Sequence, residues 1–215
     1  MSPTLSMVLT LISGISWSVV YLAIIYRGFK DRTYGMPLFA LAFNFAWEFI
    51  FSFLVKQNFS AQWVVNVIWF LLDAVIVYTY FRYGRKDFPS NAGKSFLPWS
   101  IAAFLTGFLA VYFIQLEFEG YWGAAYSAFP QNLLMSILFI TMLVRRGSVD
   151  GQSMGIAVFK CLGTLAPTIQ FTIGTGSRLI LALGIAIFIY DVIYIVMLYR
   201  KFAELRLDPF TRRPI

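Results

Sequence analysis

The chain has 215 residues, 60% of them hydrophobic and 19% aromatic, only 13% charged, with a mean hydropathy of +0.74 and a formal charge of +7. An ordinary soluble domain carries about 25% charged residues, so this composition describes an integral membrane protein. One cysteine and no histidine exclude a disulfide within the chain, a zinc site built on Cys and His, and His-ligated haem.

A bilayer core is crossed by about 20 apolar residues of helix. Seven runs meet that pattern, near 5–26, 36–55, 60–81, 96–116, 122–144, 153–172 and 179–199. They predict an all-α, polytopic fold, with residues 1–215 forming a single seven-helix transmembrane domain. The first run lacks a basic leading segment and exceeds a signal-peptide core, so it reads as a retained span. The second, MPLFALAFNFAWEFIFSFLV, buries Glu48 in an otherwise greasy stretch, where a carboxylate costs roughly 2.5–3.5 kcal/mol on insertion scales. Asn44 lies four residues earlier, on the same helix face, where its amide can orient the carboxyl. Trp47 and Phe51 flank that face. The third run carries Trp69 and Asp73, and the fourth is plainly apolar. In the fifth, Gln131 and Asn132 follow Pro130, whose missing N–H opens a helix. Lys160 falls inside the sixth run, and the seventh carries Tyr190, Asp191 and Tyr194.

Glu48, Asp73 and Asp191 sit at similar depth, so all three are expected to face the bundle interior. There, burial disfavours the ionised form, and an unpaired acid can hold a proton and act as a general acid. The competing expectation is that they serve as interhelical glue, neutralised by hydrogen bonds or by Lys160. Trp47 and Trp69 lie too deep for interfacial anchoring, and aromatic faces of this kind stabilise cations by roughly 0.5–2 kcal/mol each.

The basic residues fall almost wholly on alternate loops: Arg27, Lys30 and Arg32; Arg82, Arg85, Lys86 and Lys94; Arg145 and Arg146; and Arg200 to Arg213 in the tail. Lys56 and Arg178 lie opposite. The positive-inside rule then puts the N-terminus outside and the C-terminus in the cytoplasm. The net charge is thus a signal of topology, and nucleic acid is not an expected partner. At an offset of 118 residues Asp73 pairs with Asp191 and Arg82 with Arg200, which predicts a 3+1+3 parallel repeat with the fourth helix as connector. The sequence has no Asp-rich diphosphate-binding motif, no lysine in the last span for a retinal Schiff base, and no P-loop.

Four stretches, NFAWEFIF at 44–51, WFLLDAVIVYTYFRYG at 69–84, RRGSVDGQSMGIAVFKCLGT at 145–164 and IYDVIYIVMLYR at 189–200, resemble the membrane-integral meroterpenoid terpene cyclases of the pyripyropene type. The resemblance implies a class II cyclisation, started by protonating an epoxide or alkene on a prenyl chain and ended by deprotonation. It implies Glu48 and Asp191 as the catalytic pair, with Asn44 orienting the acid. Trp47, Trp69, Tyr190 and Tyr194 would be cation-stabilising rings, and Asp73, Gln131, Asn132 and Lys160 further contacts to substrate. It also implies no metal and no cofactor. The expected partners are a prenylated, farnesyl-type molecule, epoxidised or not, and the bilayer, with no obligatory protein partner. The expected location is the endoplasmic reticulum in a eukaryote or the plasma membrane in a bacterium. The seven runs and the Pro130-Gln131 pair also resemble the PQ-loop carriers, in which the acids would couple protons to transport.

Overall fold

The computed structural model describes residues 1–55, 61–88, 90–118 and 120–214; Lys56, assigned above to the outer side, lies outside them. The chain forms α1 (Pro3–Lys30), α2 (Leu38–Phe49) with a π-helical extension (Ile50–Leu54), α3 (Ala61–Tyr83), α4 (Phe96–Phe118), α5 (Gly120–Arg146), α6 (Met154–Thr175) and α7 (Arg178–Glu204). Among the described residues the only β pairing is the isolated bridge Leu207–Pro214.

Local chemistry sets the helix ends. Ser2 accepts from the Leu5 amide with Pro3 behind it, and Ser153 and Ser177 do the same for the Ile156 and Ile180 amides at 3.2 and 3.3 Å, each satisfying a donor that the first turn leaves unpaired. Gly176, at φ 69°, ends α6 in the left-handed region that favours glycine.

Six of the helices are long and apolar enough to cross a membrane. The second is not: 12 residues of α-helix and 5 of π-helix fall short of the roughly 20 that a bilayer core requires. Of the seven expected spans, six are thus met by a helix of full length and the second by a shorter apolar one. Pro37 holds an extended backbone (ψ 144°) before α2, and the chain is extended again at Val55 (ψ 121°), so the apolar run 36–55 loses both its ends. The π turn brings the Ser52 carbonyl to the Trp63 indole, which donates to it at 2.8 Å.

The short helix is enclosed by its neighbours, lying against α3, α4 and α5. The tightest approach is at Gly107 of α4, where a Cβ would come within 2.8 Å of the Ala42 carbonyl. Elsewhere α3 also packs on α1, α7 packs on α5 and α6, α1 packs on α6, and α4 joins α2 to α5. Large apolar side chains such as Leu22, Leu105 and Phe113 are exposed on the outside, the surface that suits a chain surrounded by lipid.

The basic loops meet at one end of the bundle. Asp31 pairs with Arg27, accepts from Arg212 at 2.9 Å, and takes the Gly151 amide at 2.9 Å. Arg146 pairs with Asp87 at 2.8 Å, donates to the Tyr34 carbonyl at 2.9 Å, and lies 4.2 Å over the Tyr34 ring.

Candidate active site

Two buried polar clusters interrupt the apolar interior. The first is built on α2, where 3.6-residue periodicity turns Asn44 and Glu48 to one face. Glu48 is 1% exposed and Asp73, from α3, is fully buried. Tyr21 of α1 donates its hydroxyl proton to Glu48 Oε1. Asn44 Nδ2 lies 2.6 Å from the Tyr21 hydroxyl, 3.0 Å from Glu48 Oε1 and 2.8 Å from Asp73 Oδ2. An amide has two N–H groups, so three acceptors share two protons and the four side chains form one connected unit. Glu48 Oε2 and Asp73 Oδ1 have no hydrogen-bond partner among the described residues, and no Lys or Arg ion-pairs with either acid there. Two carboxyl groups thus share a buried site with no paired cation among the described residues, each with an uncommitted oxygen.

The second cluster joins α5, α6 and α7. Lys160, fully buried, places Nζ 2.6 Å from Asp191 Oδ1 and 2.6 Å from the Ser136 hydroxyl. Ser136 passes its own proton to the Asn132 carbonyl at 2.9 Å. Asp191 Oδ2 has no partner among the described residues. One turn further along α7, Tyr194 donates to Gln152 at 3.0 Å and packs 5.4 Å from the Phe139 ring. The two clusters share no hydrogen bond among the described residues, so Glu48 and Asp191 belong to separate networks.

The other residues read from the sequence are distributed unevenly. Trp69 lies beside the first cluster, its ring 6.1 Å from that of Tyr21 and its indole donating to Ser18 at 3.1 Å. Trp47 turns away from Glu48 and donates to the Ala124 carbonyl at 3.2 Å. Asn132 spends its amide on the Ala128 carbonyl at 3.0 Å, beside Pro130, through which α5 runs unbroken. Gln131 is buried with Oε1 unpartnered among the described residues. Tyr190 is 36% exposed, on the outward side of α7, although its neighbour Asp191 points inward.

Sequence reasoning missed Tyr21, Ser136 and Gln152. A signal existed for Tyr21: a phenol in the middle of an apolar span needs a hydrogen-bond partner when buried, and Glu48 and Asn44 are the polar groups of the next helix. Ser136 and Gln152 carry no comparable signal, being a small residue in a span and a loop amide.

A family model described as Pyr4-like transmembrane terpene cyclases matches residues 2–204. The chain is 34% identical over 160 residues to the terpene cyclase pyr4 of Aspergillus fumigatus, covering 72% of this chain and 65% of that one. It is 30% identical to the Pyr4-family terpene cyclase mfmH of Annulohypoxylon moriforme, covering 76% and 68%. With the asnovolin H synthase nvfL of Aspergillus novofumigatus it shares 29% identity, covering 77% and 69%. The chain therefore spans about two thirds of the length of the relatives it matches. No solved structure matches it. The first two relatives are terpene cyclases, and the likeness to PQ-loop carriers drops out. By a match that runs from the start of α1 to the end of α7, the chain belongs to the Pyr4-like transmembrane terpene cyclases.

Proposed function

We propose that the chain is a class II terpene cyclase that protonates an epoxide or alkene on the prenyl chain of a meroterpenoid precursor, with Glu48 as the acid. The observation that carries this reading is a buried carboxyl held by Tyr21 and Asn44, with no paired cation among the described residues, in a chain of this family. Tyr21 and Asn44 bind Oε1, which leaves Oε2 to bear the proton. That proton passes to the epoxide oxygen as its C–O bond breaks, or to an alkene carbon. Successive alkenes then attack the cation, each forming a C–C bond from its π pair. Loss of a C–H proton ends the cascade, so product and substrate have the same mass. Asp191 Oδ2, uncommitted beside the Lys160 ion pair, offers a base for that last step, and return of the proton to Glu48 resets the enzyme. Apolar walls keep water from quenching the cation, and rings such as Trp69 and Tyr194 stabilise it by roughly 0.5–2 kcal/mol each. No cofactor enters this scheme. The substrate is a farnesyl-type chain, epoxidised or not, on a polar head.

The topology belongs to the same reading. Seven helices cross the membrane as one domain, the short α2 being lined by protein rather than lipid, with the N-terminus outside and the C-terminus in the cytoplasm. The packing pairs support a 3+1+3 repeat. As α3 lies on α1 and α2, so α7 lies on α5 and α6; the α1–α6 contact has its counterpart in α5–α2, and α4 connects the halves. Under that symmetry Asp73 corresponds to Asp191. The host membrane is the endoplasmic reticulum in a eukaryote or the plasma membrane in a bacterium.

The test is to give membranes containing the protein an epoxyfarnesyl-aromatic substrate and to separate isomers by chromatography with mass detection. A cyclised isomer from the wild type, lost in Glu48→Gln and Asp191→Asn, is the expected result. Folded wild-type protein that yields no isomer from either epoxide or alkene would overturn the proposal.

A further inference from the structure

The loop end of the bundle holds a cavity of about 210 Å³, away from both carboxyl clusters. Five of its lining residues are aromatic: Tyr34 and Tyr80 stand 5.2 Å apart edge to face, Phe39 meets Trp99 at 5.7 Å in the same geometry, and Phe88 is the fifth. Two charged groups reach it, Asp87 and Arg145. Asp87 is already paired with Arg146 at 2.8 Å. Arg145 is exposed, donates only to the Tyr34 hydroxyl at 2.6 Å, and pairs with no carboxylate among the described residues. The cavity thus combines flat rings with one uncompensated guanidinium, and a guanidinium binds paired or anionic oxygens best.

Three helix faces run inward from this cavity, two of them to the Glu48 cluster. On α2, Leu38 lines the cavity, and Leu41, Asn44 and Glu48 follow at helical spacing. On α3, Tyr80 leads through Ile76 to Asp73, and on α5, Arg145 leads through Leu138 and Met135 to Gln131. Residues three and four apart share a face, so on each helix apolar rungs lie between a polar mouth and a polar floor; Leu41, Ile76 and Met135 pack together in the core, and a chain entering there would part them. The step along α2 from Leu38 to Glu48 is about 15 Å at 1.5 Å per residue, the scale of a three-isoprene chain.

We infer that this cavity binds the head group of the substrate: a planar, oxygenated ring whose ionised hydroxyl or carboxyl lies on Arg145, with the prenyl chain directed along α2, α3 and α5 so that its far end meets Glu48. The inference rests on the cyclase reading and adds to it the place and chemistry of the head. It follows that the chain discriminates between substrates at the loop end of the bundle, not beside the acid.

The experiment compares two terminal-epoxide farnesyl substrates, one attached to a hydroxybenzoic acid and one ending in a methyl ether, on the wild type, Arg145→Leu and Thr141→Phe. Thr141 is an exposed residue of the cavity wall, so the second variant fills the cavity without removing a buried contact. Loss of a charge-assisted hydrogen bond weakens binding about tenfold or more. KM for the acid-headed substrate is therefore expected to rise by about that factor in Arg145→Leu and also to rise in Thr141→Phe, whose ring takes the head group's space, with kcat held and with the methyl ether unaffected. An equal KM for wild type and variants would overturn the inference while leaving the cyclase intact. So would a variant in which KM is unmoved but co-purifying anionic phospholipid falls, since the cavity would then belong to a lipid head group. Folded wild type that cyclises neither substrate would overturn the underlying reading, and this inference with it.

Discussion

The two buried carboxyl clusters use the same residue type in opposite ways. Asp191 has a lysine 2.6 Å away and a serine behind it, so its charge is answered inside the protein. Glu48 and Asp73 have only an amide and a phenol between them, so nothing of opposite sign answers theirs. A desolvated ion pair is costly to break because the surviving partner is stranded. A pair of acids without a cation has no such partner to strand, and its free oxygens are chemically available. On the proposed reading the first cluster holds the reactive proton, while the second joins three helices and keeps one oxygen of Asp191 free as the base.

The largest expected effect lies in the first cluster. Glu48→Gln keeps the shape and removes the acid, so product formation should fall about a hundred- to ten-thousandfold while the thermal unfolding midpoint in detergent stays near wild type. Unimpaired turnover would erase the distinction between the clusters. Next comes Lys160→Met, which strands Asp191 and should cost about 3–5 kcal/mol of stability. Adding Asp191→Leu should recover most of that cost, since an apolar pair replaces the ion pair. If the double variant unfolds as early as the single one, the second cluster is not held by its charges. Tyr21→Phe should lower kcat about tenfold or more with KM unchanged, in line with the roughly 1.5–3 kcal/mol of a hydrogen bond to a charged group; a KM effect alone would make Tyr21 a wall of the site instead. The smallest effect is expected from Trp47→Phe. It loses one indole bond to the Ala124 carbonyl, about 1 kcal/mol, and should leave turnover almost untouched although Trp47 is next to Glu48 in the chain. A large loss of turnover would enlarge the first cluster.

What could be read in advance follows from how strongly one residue speaks for its own position. Glu48, Asp73 and Asp191 announce their burial because a charge in a greasy run has nowhere cheaper to point, and all three are buried. Their partners did not announce themselves. Whether Lys160 meets Asp191 or Glu48 depends on how six helices are rotated about their axes, and no spacing within one helix carries that information. Tyr190 shows the same limit from the other side: one residue from Asp191, it faces outward, since neighbours on a helix are about 100° apart. The apolar runs located each of the seven α-helices, yet hydropathy alone overstated α2, because Pro37 is apolar by composition and extended by conformation.

Asp31 fastens Arg27, the Gly151 amide and Arg212 in one place. The last of these lies 181 residues further along the chain. At the roughly 5–20 residues per second of synthesis, Arg212 reaches the ribosome about 9–36 s after Asp31. All seven helices must therefore be made before this clasp can close. It is a late event in biogenesis, and a chain interrupted before Arg212 leaves the first loop without one of its arginines.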